Sequence, residues 1–335
     1  MHTEDGAGSP NQSEPTESHW DLIDNPSDAD LPETLYHYTD LRGVQGIWEN
    51  GELWGTNALF LNDTSEVELG TLVIQNAVSE RQRDLYKQLA ESLSRELETR
   101  QAGDAVDADA FEHERGPAQA KLDELKFIQD AIDYVKDTSS FITCLTEQHD
   151  QLSQWRGYAR EGYCIGFKTT ALLENLHENL VTRRVRYYDA ETNAEYAHRT
   201  VDIASRLRAA LLTYPDLASD DDTIKFILGK KALIDASFIK DSNFAEESEV
   251  RIVHPTGTAD LFTPHRYGMV PRIKIPIVRD AVKSVRVGPS AHAELKQKSL
   301  QMYLLEVPFG GKEPLPVGER TRPAVYVSKI PYRDW

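Results

Sequence analysis

The period of the hydrophobic pattern changes several times along the chain. Leu35-Tyr36-His37-Tyr38-Thr39 is aromatic and β-branched and predicts a strand. Asp40 then stands where a helix cap belongs, Val44, Ile47 and Trp48 mark one helical face, and Gly51 falls at the C′ position. A strand-like Leu59-Phe60-Leu61 follows. From Ser65 to about Val135 the pattern turns to long, charged helices, with Leu85, Leu89, Leu93 and Leu97 at four-residue spacing and a second apolar face through Leu122, Leu125, Ile128, Ile132 and Val135. The stretch from Gln101 to Gly116 reads as an acidic, glycine-containing connection between them. A helical hairpin inserted into a β-rich body is expected over about 65–137.

Strand patterns resume at 141–145, 163–167, 181–188, 249–254, 272–277, 282–287, 302–307 and 324–330, with helical stretches near 171–180, 191–212, 221–237 and 291–300. Short strands and helices without regular βαβ alternation predict an α+β fold. The sequence contains no internal repeat, and the Rossmann, P-loop, zinc-helix and nucleophile-elbow motifs are absent.

Composition adds limits. A chain of 335 residues with 40% hydrophobic positions can bury an enzyme-sized core. The formal charge of −18 argues against sequence-blind attraction to phosphate backbones. Half of that excess lies in residues 1–34, which hold nine acidic and no basic residues. This stretch is expected to be a flexible acidic tail that begins to dock near 20–23, ahead of a single catalytic domain over 35–335. The N-terminus lacks a basic start and an apolar stretch, and no apolar run approaches the roughly 18 residues of a membrane span. A cytoplasmic protein without a membrane partner is therefore expected. Cys144 and Cys164 are too few for a disulfide framework, lack metal-ligand spacing, and sit in apolar runs that predict core positions.

Three segments carry candidate chemistry. In the first strand, alternation puts Tyr36 and Tyr38 on one face and His37 on the other, with Thr39 after them. A lone strand histidine is often structural, so His37 draws its meaning from its neighbours. In the second segment, from Gln151 to Phe167, Trp155, Tyr158 and Ala159 recur at helical spacing and suit a packing stripe. Ser153, Arg156 and Tyr158 also suit a polar cofactor with a flat aromatic base. In the third segment, Glu247, Glu249 and Arg251 share one face at the entry to a strand, while Val250 and Ile252 point the other way. Carboxylates so close cost free energy unless a cation lies near them. A solvated face or a structural Glu249–Arg251 pair is the plain alternative. Arg183, Arg184 and Arg186 beside Tyr187 and Tyr188 form a further basic cluster, suited to guiding an anion or simply solvated.

Taken together these segments resemble the bacterial family called domain of unknown function 2971, over roughly 35–290. The resemblance rests on the opening strand, the turn of Leu61-Asn62-Asp63 and Glu66, and Ser153, Trp155, Tyr158 and Ala159 before the Gly162-Tyr163-Cys164-Ile165-Gly166-Phe167 run. It continues through Lys240, Phe244, Glu247, Glu249, Arg251 and Val287-Gly288-Pro289. His37-Tyr38-Thr39, Ile47, Gly51 and Leu53, with Glu247-Ser248-Glu249, are also similar to ADP-ribosyltransferases.

The second resemblance implies an ADP-ribosyltransferase-like core that cleaves the nicotinamide glycosidic bond of NAD and passes ADP-ribose to an unidentified protein or nucleic-acid acceptor, as in toxins or phage-defence effectors. It implies catalytic roles for Glu249, Glu247 and His37. His37, Tyr38, Thr39, Ser153, Arg156, Tyr158, Tyr163 and Arg251 would contact NAD, Ser153, Tyr158 or Tyr163 filling the middle motif, and no metal is required. Two alternatives stand beside it. One is a metal-dependent hydrolase or nuclease using Asp63, Glu66, Glu247 and Glu249, with Lys240 near a phosphate. The other is a non-enzymatic nucleotide-sensing or partner-binding module that works through the helical insertion.

Overall fold

The computed structural model describes residues 28–61, 65–135, 138, 140–177, 179–188, 192–255, 258–266, 268–312 and 322–331, with backbone alone at 65, 66, 192 and 193. Most of the acidic tail, its expected docking point near 20–23, and the turn at Asn62 and Asp63 lie outside the described residues.

In chain order the elements are β1 (Thr34–Thr39), α1 (Leu41–Asn50), β2 (Glu52–Asn57), α2 (Ser65–Gln101), α3 (Ala108–Val135), β3 (Phe141–Thr146), α4 (Leu152–Tyr158) and β4 (Tyr163–Lys168). They continue with α5 (Thr169–Leu173), β5 (Val181–Arg184), β6 (Arg186–Tyr188), α6 (Thr192–Leu211), α7 (Asp221–Ala236) and β7 (Ile239–Asp241). The last are β8 (Glu249–His254), β9 (Leu261–His265), β10 (Gly268–Pro276), β11 (Val282–Val287), α8 (Ala293–Glu306) and β12 (Ala324–Val327). The fold is mixed α+β, as expected. The chain divides into two compact units, one built on 78–136 and 201–231, the other on 25–77, 137–200 and 232–335.

The first unit is helical. The α3 face runs as expected: Leu122, Leu125, Ile128, Ile132 and Val135 are all buried. The α2 face differs. Leu93 and Leu97 are exposed, while Ser92 and Glu96 are buried, because Glu96 is held by Arg115 and Arg100, each at 2.6 Å. An ion pair has taken the inward position that leucine periodicity suggested. The connection is also shorter than expected: α3 starts at Ala108, where the Asp107 carboxylate accepts from the Ala110 N–H at 3.0 Å, and the helix continues through Pro117.

The second unit holds a ten-stranded sheet in the order β12-β11-β4-β1-β3-β2-β10-β9, with β8 on β3 and β5 on β8, and a separate parallel pair of β6 and β7. Its strands are antiparallel except where β11 runs parallel to β12. β1 begins as read, and α1 is set by its ends: Asp40 caps the Gly43 N–H at 2.7 Å, and Gly51 closes the helix at φ 66°. Val250 and Ile252 enter the main core with Leu35, Trp48, Phe141 and Phe167. Each such side chain contributes on the order of 1.5–3 kcal/mol of burial.

Several local readings are overturned. Met302–Val307, read as a strand, is in the last turns of α8 or just past them, because Leu300 and Leu304 are buried one helical turn apart. The Leu59 region is a short 3-10 turn over Ala58–Phe60. The strand expected over 181–188 breaks at Val185, whose N–H goes to the Glu249 carbonyl at 2.9 Å. Residues at the end of the expected tail are tied to β5: Asp28 N–H donates to the Thr182 carbonyl, and Arg184 binds Asp30, both at 2.9 Å. Among the described residues no helix is long and apolar enough to cross a membrane.

Candidate functional site

β1 and β2 address the same edge of β3, one after the other. β1 reaches it at Tyr36 opposite Thr146, and β2 at Thr56 and Asn57 opposite Ile142 and Phe141. Between those points the sheet forks and side chains replace the ladder. The His37 Nδ1–H donates to the Cys144 carbonyl at 3.0 Å, and the Thr143 hydroxyl donates to the Trp54 carbonyl at 3.1 Å.

A cavity of about 500 Å³ opens at the fork, a size suited to a small-molecule ligand. β1 supplies His37 and Thr39 to its wall, α1 supplies Arg42, β2 supplies Trp54, β10 supplies Arg272 and α4 supplies Tyr158. The close fit of β1 to α1 requires glycine at 43, where a Cβ would run into the Thr39 side chain. Because a carbonyl only accepts, the His37 proton sits on Nδ1, and Nε2 is the ring's acceptor. Burial holds His37 below its ordinary value despite the Cys144 bond, so the ring is neutral.

Beside the cavity lies a charge cluster. Glu249 and Arg251 share one face of β8, as the alternation predicted. Arg251 is wholly buried; its Nε and Nη2 donate to Glu249 at 2.8 and 3.1 Å, and Nη1 donates to the Ser237 carbonyl at 2.6 Å. Glu247 closes a 3-10 turn over Ser242–Glu247, and the left-handed Ser248 (φ 43°) separates it from the strand. The cation demanded by two neighbouring carboxylates is Lys240, which bonds Glu247 at 2.7 Å and Glu249 at 2.9 Å. Two acids and two bases make the cluster neutral as a whole. Burial by itself would raise the Glu249 carboxyl, but the charges and bonds of Arg251, then Lys240, outweigh it and bring it down to about 2. Glu249 is thus a permanent anion.

Tyr158 joins the cluster to the cavity. Its ring lines the cavity and its hydroxyl donates to Glu247 Oε1 at 3.0 Å. Burial and the Glu247 charge push the phenol up, so it stays a donor.

Of the expected NAD contacts, the cavity brings together His37, Thr39 and Tyr158. Tyr38 lies elsewhere, edge-on to Trp155 at 4.7 Å, with its hydroxyl donating to the Gln148 carbonyl and accepting from the Gln151 N–H. Tyr163 is buried in the main core. Ser153 Oγ is buried without a hydrogen-bond partner among the described residues, and Arg156 is exposed. Cys164 is buried and Cys144 half-buried at the cavity wall.

Arg183, Arg184 and Arg186 do not form an open patch. Arg183 meets Asp235 at 3.0 Å, Arg184 meets Glu147 at 2.6 Å, and Arg186 lies over the Tyr196 ring at 4.5 Å. Among the described residues no three His, Cys, Asp or Glu side chains are grouped to hold a metal ion; Asp63 and the Glu66 side chain lie outside them. Arg42 and Arg272 were missed. No local motif marks them, and the register that sets Arg272 opposite Thr56 joins segments far apart in the chain.

Fold and site together define a mixed α+β protein with a forked sheet, a cavity in the fork and a buried Lys-Glu-Arg cluster beside it. Residues 154–252 match the profile of the family described as Protein of unknown function (DUF2971), so the expected family resemblance is shown over this stretch, from α4 into β8. No curated protein and no solved structure matches the chain. The expected likeness to ADP-ribosyltransferases is not shown by either result.

Proposed function

We propose that the chain binds a NAD-type dinucleotide in the forked cavity and cleaves its nicotinamide glycosidic bond, passing ADP-ribose to an acceptor. One arrangement carries the reading: His37, Thr39 and Tyr158 line a single cavity, and Tyr158 is bonded directly to Glu247. Neutral His37 offers Nε2 to a ribose hydroxyl. Trp54, 37% exposed, offers a ring face to a flat base.

As the C–N bond breaks, its electron pair leaves with nicotinamide and discharges the pyridinium. C1′ of the ribose becomes oxocarbenium-like, and the acceptor nucleophile adds there while its proton passes to Glu247. Glu247 takes this role because Tyr158, a cavity-lining residue, bonds it directly, whereas Glu249 is held by both Arg251 and Lys240. Glu249 instead positions Lys240.

The test is release of nicotinamide from NAD by the purified chain, followed by chromatography. Glu247→Gln is expected to lower the rate by about 100-fold or more with unchanged circular dichroism. Equal release by that folded variant would sink the assignment.

A further inference from the structure

Arg272 is a half-buried guanidinium on the cavity wall. Its Nε donates to Thr263 Oγ1 at 2.8 Å, its Nη1 donates to Thr56 Oγ1 at 2.5 Å, and it stands 5.9 Å from the Trp54 ring centroid. All three partners are neutral. Among the described residues no carboxylate bonds to it, and Nη2 has no protein acceptor. Glu52, the acid of the same cavity, is engaged by Trp54 Nε1 at 2.9 Å and by Lys274 at 3.4 Å. In the same unit Arg251, Arg183 and Arg184 each meet a carboxylate. Burial of an uncompensated guanidinium is costly, and here it depresses the Arg272 pKa. The two threonine bonds hold the fork of donors in place, and Arg42, exposed on α1, adds a second cation to the same wall. Apart from Glu52, already held by Trp54 and Lys274, the wall offers these cations no anion among the described residues.

We propose that Arg272, seconded by Arg42, is an anion subsite for the pyrophosphate of the nucleotide that occupies the cavity. The planar guanidinium suits bidentate contact with phosphoryl oxygens. In a chain of net charge −18, a locally cationic wall also draws an anionic ligand to one place. The inference rests on the nucleotide reading of the cavity but is separable from bond cleavage.

Calorimetric titration of the full chain with inorganic pyrophosphate, ADP-ribose and adenosine tests it. Arg272→Gln is expected to weaken pyrophosphate and ADP-ribose by about tenfold or more, leaving adenosine within about twofold. Arg272→Lys, which keeps the charge and loses the planar fork, is expected to fall between. Should Arg272→Gln fail to fold, the lysine variant and the salt dependence of wild-type ADP-ribose binding decide, the latter weakening as salt rises. Unchanged ADP-ribose affinity in a folded Arg272 variant, an equal loss for adenosine, or a wild-type chain that binds neither phosphorylated probe would overturn the subsite. Arg272-dependent pyrophosphate binding without nicotinamide release would leave the subsite standing and remove the cleavage reading. Release with an unchanged KM for NAD in Arg272→Gln would do the reverse.

Discussion

The charge cluster of β8 and the cavity at the fork lie one side chain apart, yet they treat charge in opposite ways. Around Glu249 every ionised group has a partner of opposite sign within 3.1 Å: two carboxylates, a lysine and an arginine closed on one another. Around Arg272 the partners are hydroxyls and an indole face. A closed set of charges stabilises or positions, whereas an open one has binding capacity left to use. Chemistry that looks most suggestive in the sequence, a Glu-x-Glu with an arginine two residues on, therefore belongs in part to the scaffold.

The sharpest way to break this contrast is to remove one member of the closed set. Glu249→Gln strands Arg251 and leaves Lys240 with one acid, and is expected to cost about 3–5 kcal/mol in chemical denaturation; a loss below about 1 kcal/mol would mean the cluster is not closed. Its pH dependence follows. The folded Glu249 carboxyl titrates at about 2 against an ordinary 4.5. A depressed acid contributes stability in full above its unfolded value, so the contribution fades as pH falls from 4.5 toward 2. That acid step should be smaller in Glu249→Gln.

Tyr158 tests the link between the regions. It is 41% exposed, so Tyr158→Phe is expected to cost only about 1 kcal/mol of stability while lowering nicotinamide release roughly tenfold. An unchanged rate would uncouple cluster from cavity. The smallest effect is expected at His37, whose folded pKa is depressed from 6.5. The unfolded chain takes up the proton first, so stability declines as pH drops below 6.5 toward the folded value. His37→Gln should flatten that slope and lose about 1 kcal/mol with the Cys144 bond. An identical slope in the variant would assign the titration to another group.

Local signals carried the parts of the fold that are local. Asp40 and Gly51 marked both ends of α1 because a cap and a left-handed residue are decided within a few positions. The alternation of 249–254 separated Glu249 and Arg251 from Val250 and Ile252 because β8 is a regular strand. Where tertiary partners decide, pattern failed. Leu93 and Leu97 kept helical spacing yet face outward, since Arg115 from α3 draws Glu96 inward. Met302 to Val307 contains too short an apolar run to separate a strand from the end of a helix. Lys240 was visible as a residue but not as the cation between the two glutamates, and the cavity was not legible at all. It exists only because β1 and β2 share an edge of β3.

That shared edge also fixes the size of the opening. The two arms of the fork are joined through α1, whose Val44, Ile47 and Trp48 are locked into the main core, so the span between the arms is set by the length of one short helix of about 1.5 Å rise per residue. The chamber is thus a rigid gap held open by a buried strut.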